Sequence, residues 1–257
     1  MPDAGQHYEG APITEAVIDI KAIIPDEVGA SPQESMGVVR LIKSGLSLLL
    51  PSYKAPEDIT RHVSQLKVGG QNSATATASN VVGAMFQSED KRQILQARLD
   101  GFTFSRLAPY TTWEDFSTQA RAAWGAYRQT FPAMRVTRLA VRYINRIEFP
   151  TPADDLAKYV TLLPTIPDNL TSTGALSGLF MQLKMPMRDG ANLILNEAIV
   201  ESNSPDTAAI LLDTDIYRDT DVPQDEAGIW EYFSTLRDLK NEVFEACITP
   251  TTRELIK

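Results

Sequence analysis

The chain has 257 residues, 43% hydrophobic and 22% charged, enough apolar material to bury a core without disulfides or a structural metal. Its 33 acidic and 24 basic side chains leave a formal charge of −9, which repels phosphate backbones over most of the surface and disfavours nonspecific nucleic-acid binding. The lone Cys247 excludes an intramolecular disulfide, the first ten residues resemble no secretory leader, and the most apolar stretch, Val38 to Leu50, is too short to span a bilayer, so a cytoplasmic location is expected.

Pro12 to Ile24 is rich in β-branched residues and predicts a strand. After a loop over Asp26 to Ser31, Pro32 suits a first helical turn. Met36, Val39, Leu41, Ile42, Leu46, Leu49 and Leu50 then form the apolar stripe of a helix ending at Pro51. Ile59 to Val68 reads as a strand containing His62, Gly69-Gly70 as a turn, and the small polar run Gln71 to Asn80 as a loop or frayed edge. Val81 to Gln87 and Arg92 to Leu99 alternate around Ser88 to Lys91, which predicts a hairpin, and Asp100-Gly101 leads to a strand over Phe102 to Leu107. Thr111 or Thr112 is placed to cap a helix from Trp113, with Phe116, Ala120, Ala123, Trp124 and Tyr127 toward one face.

The second half repeats this order: a strand over Val136 to Phe149, a short helix over Asp154 to Leu163, strands over Leu176 to Met187, Asn192 to Ser202 and Thr207 to Tyr217, and a helix over Glu226 to Cys247. Trp113-Glu114-Asp115-Phe116-Ser117-Thr118 is echoed by Trp230-Glu231-Tyr232-Phe233-Ser234-Thr235, each opening the terminal helix of its half. The predicted fold class is α+β. Two halves, residues 1–131 and 132–257, each an antiparallel sheet packed on helices in the order strand, helix, strands, helix, are related by internal duplication and form one compact body. The plainer account is that Trp and Phe three residues apart mark core-facing turns of unrelated helices. Both accounts bury Trp113, Phe116, Trp230 and Phe233.

Zinc chemistry is disfavoured because His7, His62 and Cys247 are the only nitrogen or sulfur ligands and match no metal spacing. The acidic run Asp213, Asp215, Asp219, Asp221, Asp225 and Glu226 lacks the glycine and terminal glutamate of an EF-hand and is expected to be a solvated loop and helix N-terminal charge. No nucleophile elbow, phosphate-binding loop or dinucleotide fingerprint is present. His62 and Cys247 are expected to be structural, and no catalytic residue, metal or cofactor is assigned.

One strand stands out. Alternation puts Arg138, Arg142 and Arg146 on one face and Leu139, Val141, Tyr143 and Ile147 on the other. Such a stripe suits an anionic ligand through bidentate guanidinium contacts. Alternatively Glu15 and Asp19, at the same spacing on the first strand, neutralise it as an internal network, or it forms a partner interface.

Pro12-Ile13-Thr14-Glu15-Ala16-Val17, the stretch from Asp100-Gly101-Phe102 to Pro109-Tyr110 leading into Trp113, Arg142-Tyr143-Ile144-Asn145-Arg146-Ile147 and Phe244-Glu245-Ala246-Cys247-Ile248-Thr249 form a package spread over nearly the whole chain. On these pieces it resembles a sporadically distributed, uncharacterised prokaryotic family of similar length. The resemblance implies no catalytic role, and a sporadic distribution is consistent with host-defence or mobile-element gene clusters. The expected function is a non-enzymatic binding or regulatory protein, as a subunit of such a system or a homodimer, with Arg138, Arg142 and Arg146 as ligand-binding residues. The alternatives are an enzyme acting on an anionic small molecule, with Glu15, Asp19 or Tyr143 handling protons, and a single-stranded nucleic-acid binder. The last needs aromatics beside the arginines, and Tyr143 points away from them.

Overall fold

The strand expected after Pro12 is β1 (Ile13–Ile23): Ala16, Ile18, Ile20 and Ala22 are buried and the residues between them are not, the period of two expected of a strand with one covered face. The computed structural model describes residues 8–24, 32–67, 74–130, 134–151, 155–167, 169, 178–202 and 204–257. The expected Asp26 to Ser31 loop and Gly69-Gly70 turn lie outside them.

Of the stripe predicted on α1 (Pro32–Leu49), Val39, Ile42 and Leu46 are buried while Met36, Leu41 and Leu49 stay exposed, so the covered face is narrower than the sequence implied. A long hairpin of β2 (Glu57–Lys67) and β3 (Ala74–Gln87) follows. Residues 74–80 are therefore strand, where a loop or frayed edge was expected over Gln71 to Asn80, and 71–73 lie outside the described residues. Their backbone pairs along β2 from Lys67↔Ala74 to His62↔Ser79, and β-branched threonine suits that role. β4 (Gln93–Arg98) completes the expected hairpin with the end of β3, and strand β5 (Gly101–Leu107) leads to α2 (Trp113–Thr130), which Thr112 caps by accepting from the Asp115 amide at 3.2 Å.

Then come β6 (Arg135–Pro150), β7 (Phe180–Pro186), β8 (Asn192–Val200), β9 (Thr207–Arg218), α3 (Glu226–Cys247) and a short α4 (Pro250–Leu255) that was not anticipated. The helix expected over Asp154 to Leu163 shrinks to one 3-10 turn, Leu156–Lys158. Val160 instead bridges Ile248, and the Thr161 amide donates to the Cys247 carbonyl at 3.0 Å. The strands lie in the order β2-β3-β4-β5-β1-β6-β9-β8-β7, so the chain is α+β with an antiparallel nine-stranded sheet and, among the described residues, four α-helices. None of these helices is long and apolar enough to cross a membrane.

Two compact units divide the chain. The first comprises Met1–Val17, Leu107–Tyr110 and Arg138–Lys257, the second Ile18–Arg106 and Thr111–Thr137. In the second, Phe102 and Phe104 of β5 meet Trp124 and Phe116 of α2 with ring centroids 5.7 Å apart in both pairs. On the opposite side of β5, the Thr103 hydroxyl and Arg98 hold the Asp19 carboxylate at 2.7 and 3.1 Å. In the first unit α3 is capped by Asp225, whose Oδ1 accepts from the Gly228 amide at 2.9 Å, and it packs Ile229, Phe233, Leu236 and Leu239 into the core. Full burial of each such side chain contributes about 1.5–3 kcal/mol. Phe116, Phe233 and Trp230 are buried as expected, but Trp113 is only half-buried, because it opens α2 whereas Trp230 lies a full turn inside α3.

Gly101 is one position where only glycine fits. Its φ is +148°, and a Cβ there would stand 2.2 Å from the Ile20 carbonyl oxygen. Gly101→Ala is expected to lower unfolding free energy by at least about 2 kcal/mol, read from urea denaturation.

Candidate functional site

The arginine stripe forms as expected. On β6, Leu139, Val141, Tyr143, Asn145, Ile147 and Phe149 are buried beneath one face, and Arg138, Arg142 and Arg146 emerge on the other. Strand register decides what they meet. Asp213 of β9 faces Ile144 of β6 and Asn196 of β8, and Asn196 faces Gln182 of β7. All four lie on the face that carries the arginines, and Arg142 reaches Asp213 on the diagonal, within range of a long side chain.

A hydrogen-bonded row therefore crosses four strands. Gln182 Nε2 donates to Asn196 Oδ1 at 2.7 Å, and Asn196 Nδ2 donates to Asp213 Oδ2 at 3.0 Å. Arg142 closes the row from the other side, with Nε to Asp213 Oδ1 at 2.7 Å and Nη2 to Asp213 Oδ2 at 2.8 Å. The Asp213 side chain is 6% exposed and that of Arg142 47%, so the acid is sealed under a guanidinium whose outer edge stays in water. Hydrogen bonding to Asp213 holds Arg142 more firmly charged than usual against the opposing effect of burial. Two of its five donors are used, and Nη1 has no partner among the described residues.

Its neighbours are also engaged. Arg138 Nη2 donates to Asp215 Oδ2 at 2.8 Å, and its guanidinium lies 4.5 Å over the Tyr217 ring. Arg146 Nε donates to Glu148 at 3.0 Å and its Nη2 to the Glu201 carbonyl. An internal network thus exists, and Asp213, Asp215 and Glu148 are acids that take part in it. Asp19 is held by Arg98 and Thr103, and Glu15 acts on Arg142 only as a nearby charge, the smallest of its perturbations. Asp213 and Asp215 lie in the strand expected over Thr207 to Tyr217, but Asp213 is buried, where the acidic run holding it was expected to be solvated. Tyr217, two positions after Asp215, supplies the aromatic beside the arginines that Tyr143 did not.

The opposite face of the same strands, under α3, holds polar groups that the sequence did not single out. Tyr143 exchanges a hydroxyl hydrogen bond of 2.8 Å with Tyr110, and the Lys240 ammonium sits 4.0 Å over the Tyr143 ring. Burial pushes Lys240 down to about 7, with help from the Arg237 charge. Glu197 of β8 is 1% exposed with neither carboxylate oxygen hydrogen-bonded among the described residues, and burial pushes it up to about 7. The Cys247 thiol, buried and further raised by the Glu197 charge, is pushed up to about 12, which disfavours the thiolate. His62 is exposed on β2, and His7 lies outside the described residues. Among the described residues no three His, Cys, Asp or Glu side chains are grouped to hold a metal ion. Neither a family model nor a curated protein matches the chain.

Two outcomes follow from this geometry. Arg142→Ala strands the Asp213 carboxylate under cover and is expected to cost about 2 kcal/mol in chemical denaturation. Adding Asp213→Asn should restore at least half, a coupling of about 1 kcal/mol in a double-mutant cycle. For Glu197 the folded state keeps its proton to higher pH than the unfolded chain, so the stability that the neutral acid contributes is present below about pH 4.5 and lost as pH rises through about 7. Glu197→Gln, which cannot ionise, should match the parent at pH 4 and exceed it above pH 7 by up to about 3 kcal/mol. Melting temperatures across that range check the sign.

Proposed function

We propose that the protein is a non-enzymatic binding or regulatory protein that recognises a carboxylate- or phosphate-bearing partner on the β6-β9-β8-β7 face. The reading rests on one observation, the guanidinium of Arg142 locked by Asp213 with its Nη1 edge left toward solvent. A fork immobilised by an acid at its back has lost its rotational freedom before any ligand arrives, which lowers the entropic cost of capturing a planar anion. Arg138 and Arg146 frame it.

The interleaved acids Asp213, Asp215 and Glu148 work against a polyanionic strand. The Tyr217 ring under Arg138 favours stacking of a single-stranded base, the second reading. Chemistry on a bound anion has less support, since Tyr143 and Lys240 lie on the other face of these strands. We further infer that the two halves arose by duplication, because β5 returns beside β1 and β9 returns beside β6 in the strand order. Self-association or a place in a complex of the host-defence or mobile-element kind is part of the same proposal.

Titration of the full chain with succinate, inorganic phosphate and an oligothymidylate, followed by amide NMR, tests the reading. Shifts on β6 and β9 with succinate or phosphate are expected, and Arg142→Lys, which keeps the charge but loses the fork, should abolish them. Absence of shifts with both anions would sink the anion site, and shifts with the oligonucleotide alone would favour the second reading.

A further inference from the structure

Strand β7 ends the strand order, so one of its backbone edges has no strand beside it among the described residues. The Ile199 amide donates to the Leu179 carbonyl at 3.0 Å, and the register runs unshifted from Phe180↔Ala198 to Pro186↔Asn192. Alternate residues of an antiparallel strand direct their backbone groups to the same neighbour. The backbone of Leu179, Met181, Leu183 and Met185 therefore serves β8, and the N–H and C=O groups of Phe180, Gln182 and Lys184 point outward. Phe180 and Met185 are 73% and 51% exposed at this edge. The β2 edge at the other end carries Glu57, Asp58 and Arg61, charges of the kind that keep edges apart.

The β7 edge is self-complementary. Met181-Gln182-Leu183-Lys184-Met185 has the same apolar-polar alternation read in either direction about Leu183. Laid antiparallel on a second copy about that centre, Leu183 meets Leu183, Met181 meets Met185, Gln182 meets Lys184 and Phe180 meets Pro186. In this register Gln182 and Lys184 exchange two backbone hydrogen bonds, whereas Phe180 opposes Pro186 and gains one, because proline carries no N–H. Apolar side chains meet apolar ones and no like charges oppose each other. Moving the centre to Lys184 would set two lysines against one another, which disfavours that register.

We propose that β7 is a self-association edge, joining two copies of this chain as antiparallel strands centred on Leu183. This rests on the self-association part of the proposed function and is independent of the anion site. A seven-residue strand pair covers less than the ~1,200 Å² of a standard stable interface, so the dimer dissociates on dilution.

Light scattering of the full chain over a hundredfold dilution series should show mass moving from two chains to one. Lys184→Pro deletes an N–H that faces away from β8, so the fold is expected to survive, by an unchanged melting profile, while the dimer is lost. Leu183→Cys places two thiols at a non-hydrogen-bonded pair with Cα atoms about 4.5 Å apart, close enough for a disulfide. It should cross-link on mild oxidation, and Lys184→Cys should not. A chain that is monomeric at every concentration overturns the proposal. So does a dimer that is not cross-linked through Leu183→Cys, which would place self-association elsewhere. If Lys184→Pro fails to fold, the cysteine pair alone decides.

Discussion

The bidentate contact between Arg142 and Asp213 organises the open face of the first unit. A carboxylate as covered as Asp213 is tolerable only when its charge is met, and two donors from one guanidinium and one from Asn196 meet it. The contact fixes more than a pair. Because Asn196 must present its amide nitrogen to Asp213, its oxygen turns to Gln182, and four strands share one polar row. The row bonds side chains across strands that the backbone ladder already joins. It therefore adds orientation more than cohesion, and what it orients is the exposed edge of Arg142.

The two faces of these strands treat charge in opposite ways. On the open face, acids and arginines remain ionised because they meet each other and water. Under α3, Glu197 and Lys240 have no such ion-pair partner among the described residues, and burial moves both toward neutrality near pH 7. They sit among aromatic and aliphatic side chains, where a neutral group costs far less than a charged one. The same sheet thus carries a preorganised polar surface on one side and a titratable interior on the other, with only the backbone of β6, β8 and β9 between them.

Much of the local structure was legible from periodicity. The alternation of β1 and β6, a cap from Thr111 or Thr112, the strand start at Asp100-Gly101 and the full span of α3 each follow from residue type and spacing. Residues 74–80 read as a loop or frayed edge because small residues carry little hydrophobic signal, and pairing with β2 overrode that weakness. The arginine stripe was legible for the same reason as the strand that bears it. Its partners were not, because a long-range pairing between Arg142 and Asp213 is set by the β6–β9 register, which no local pattern encodes. Burial of Glu197 was equally invisible, since an acid flanked by Asn196 and Ala198 reads as an exposed position until α3 covers it.

The account stands on Arg142 being held through both Nε and Nη2. Nitrogen-edited NMR of the arginine side chains reads this directly, because a guanidinium clamped along one edge rotates slowly about its Nε–Cζ bond. Separate Nη resonances for Arg142 that merge on Asp213→Asn are the expected result. A single averaged Nη resonance in the parent protein would contradict it.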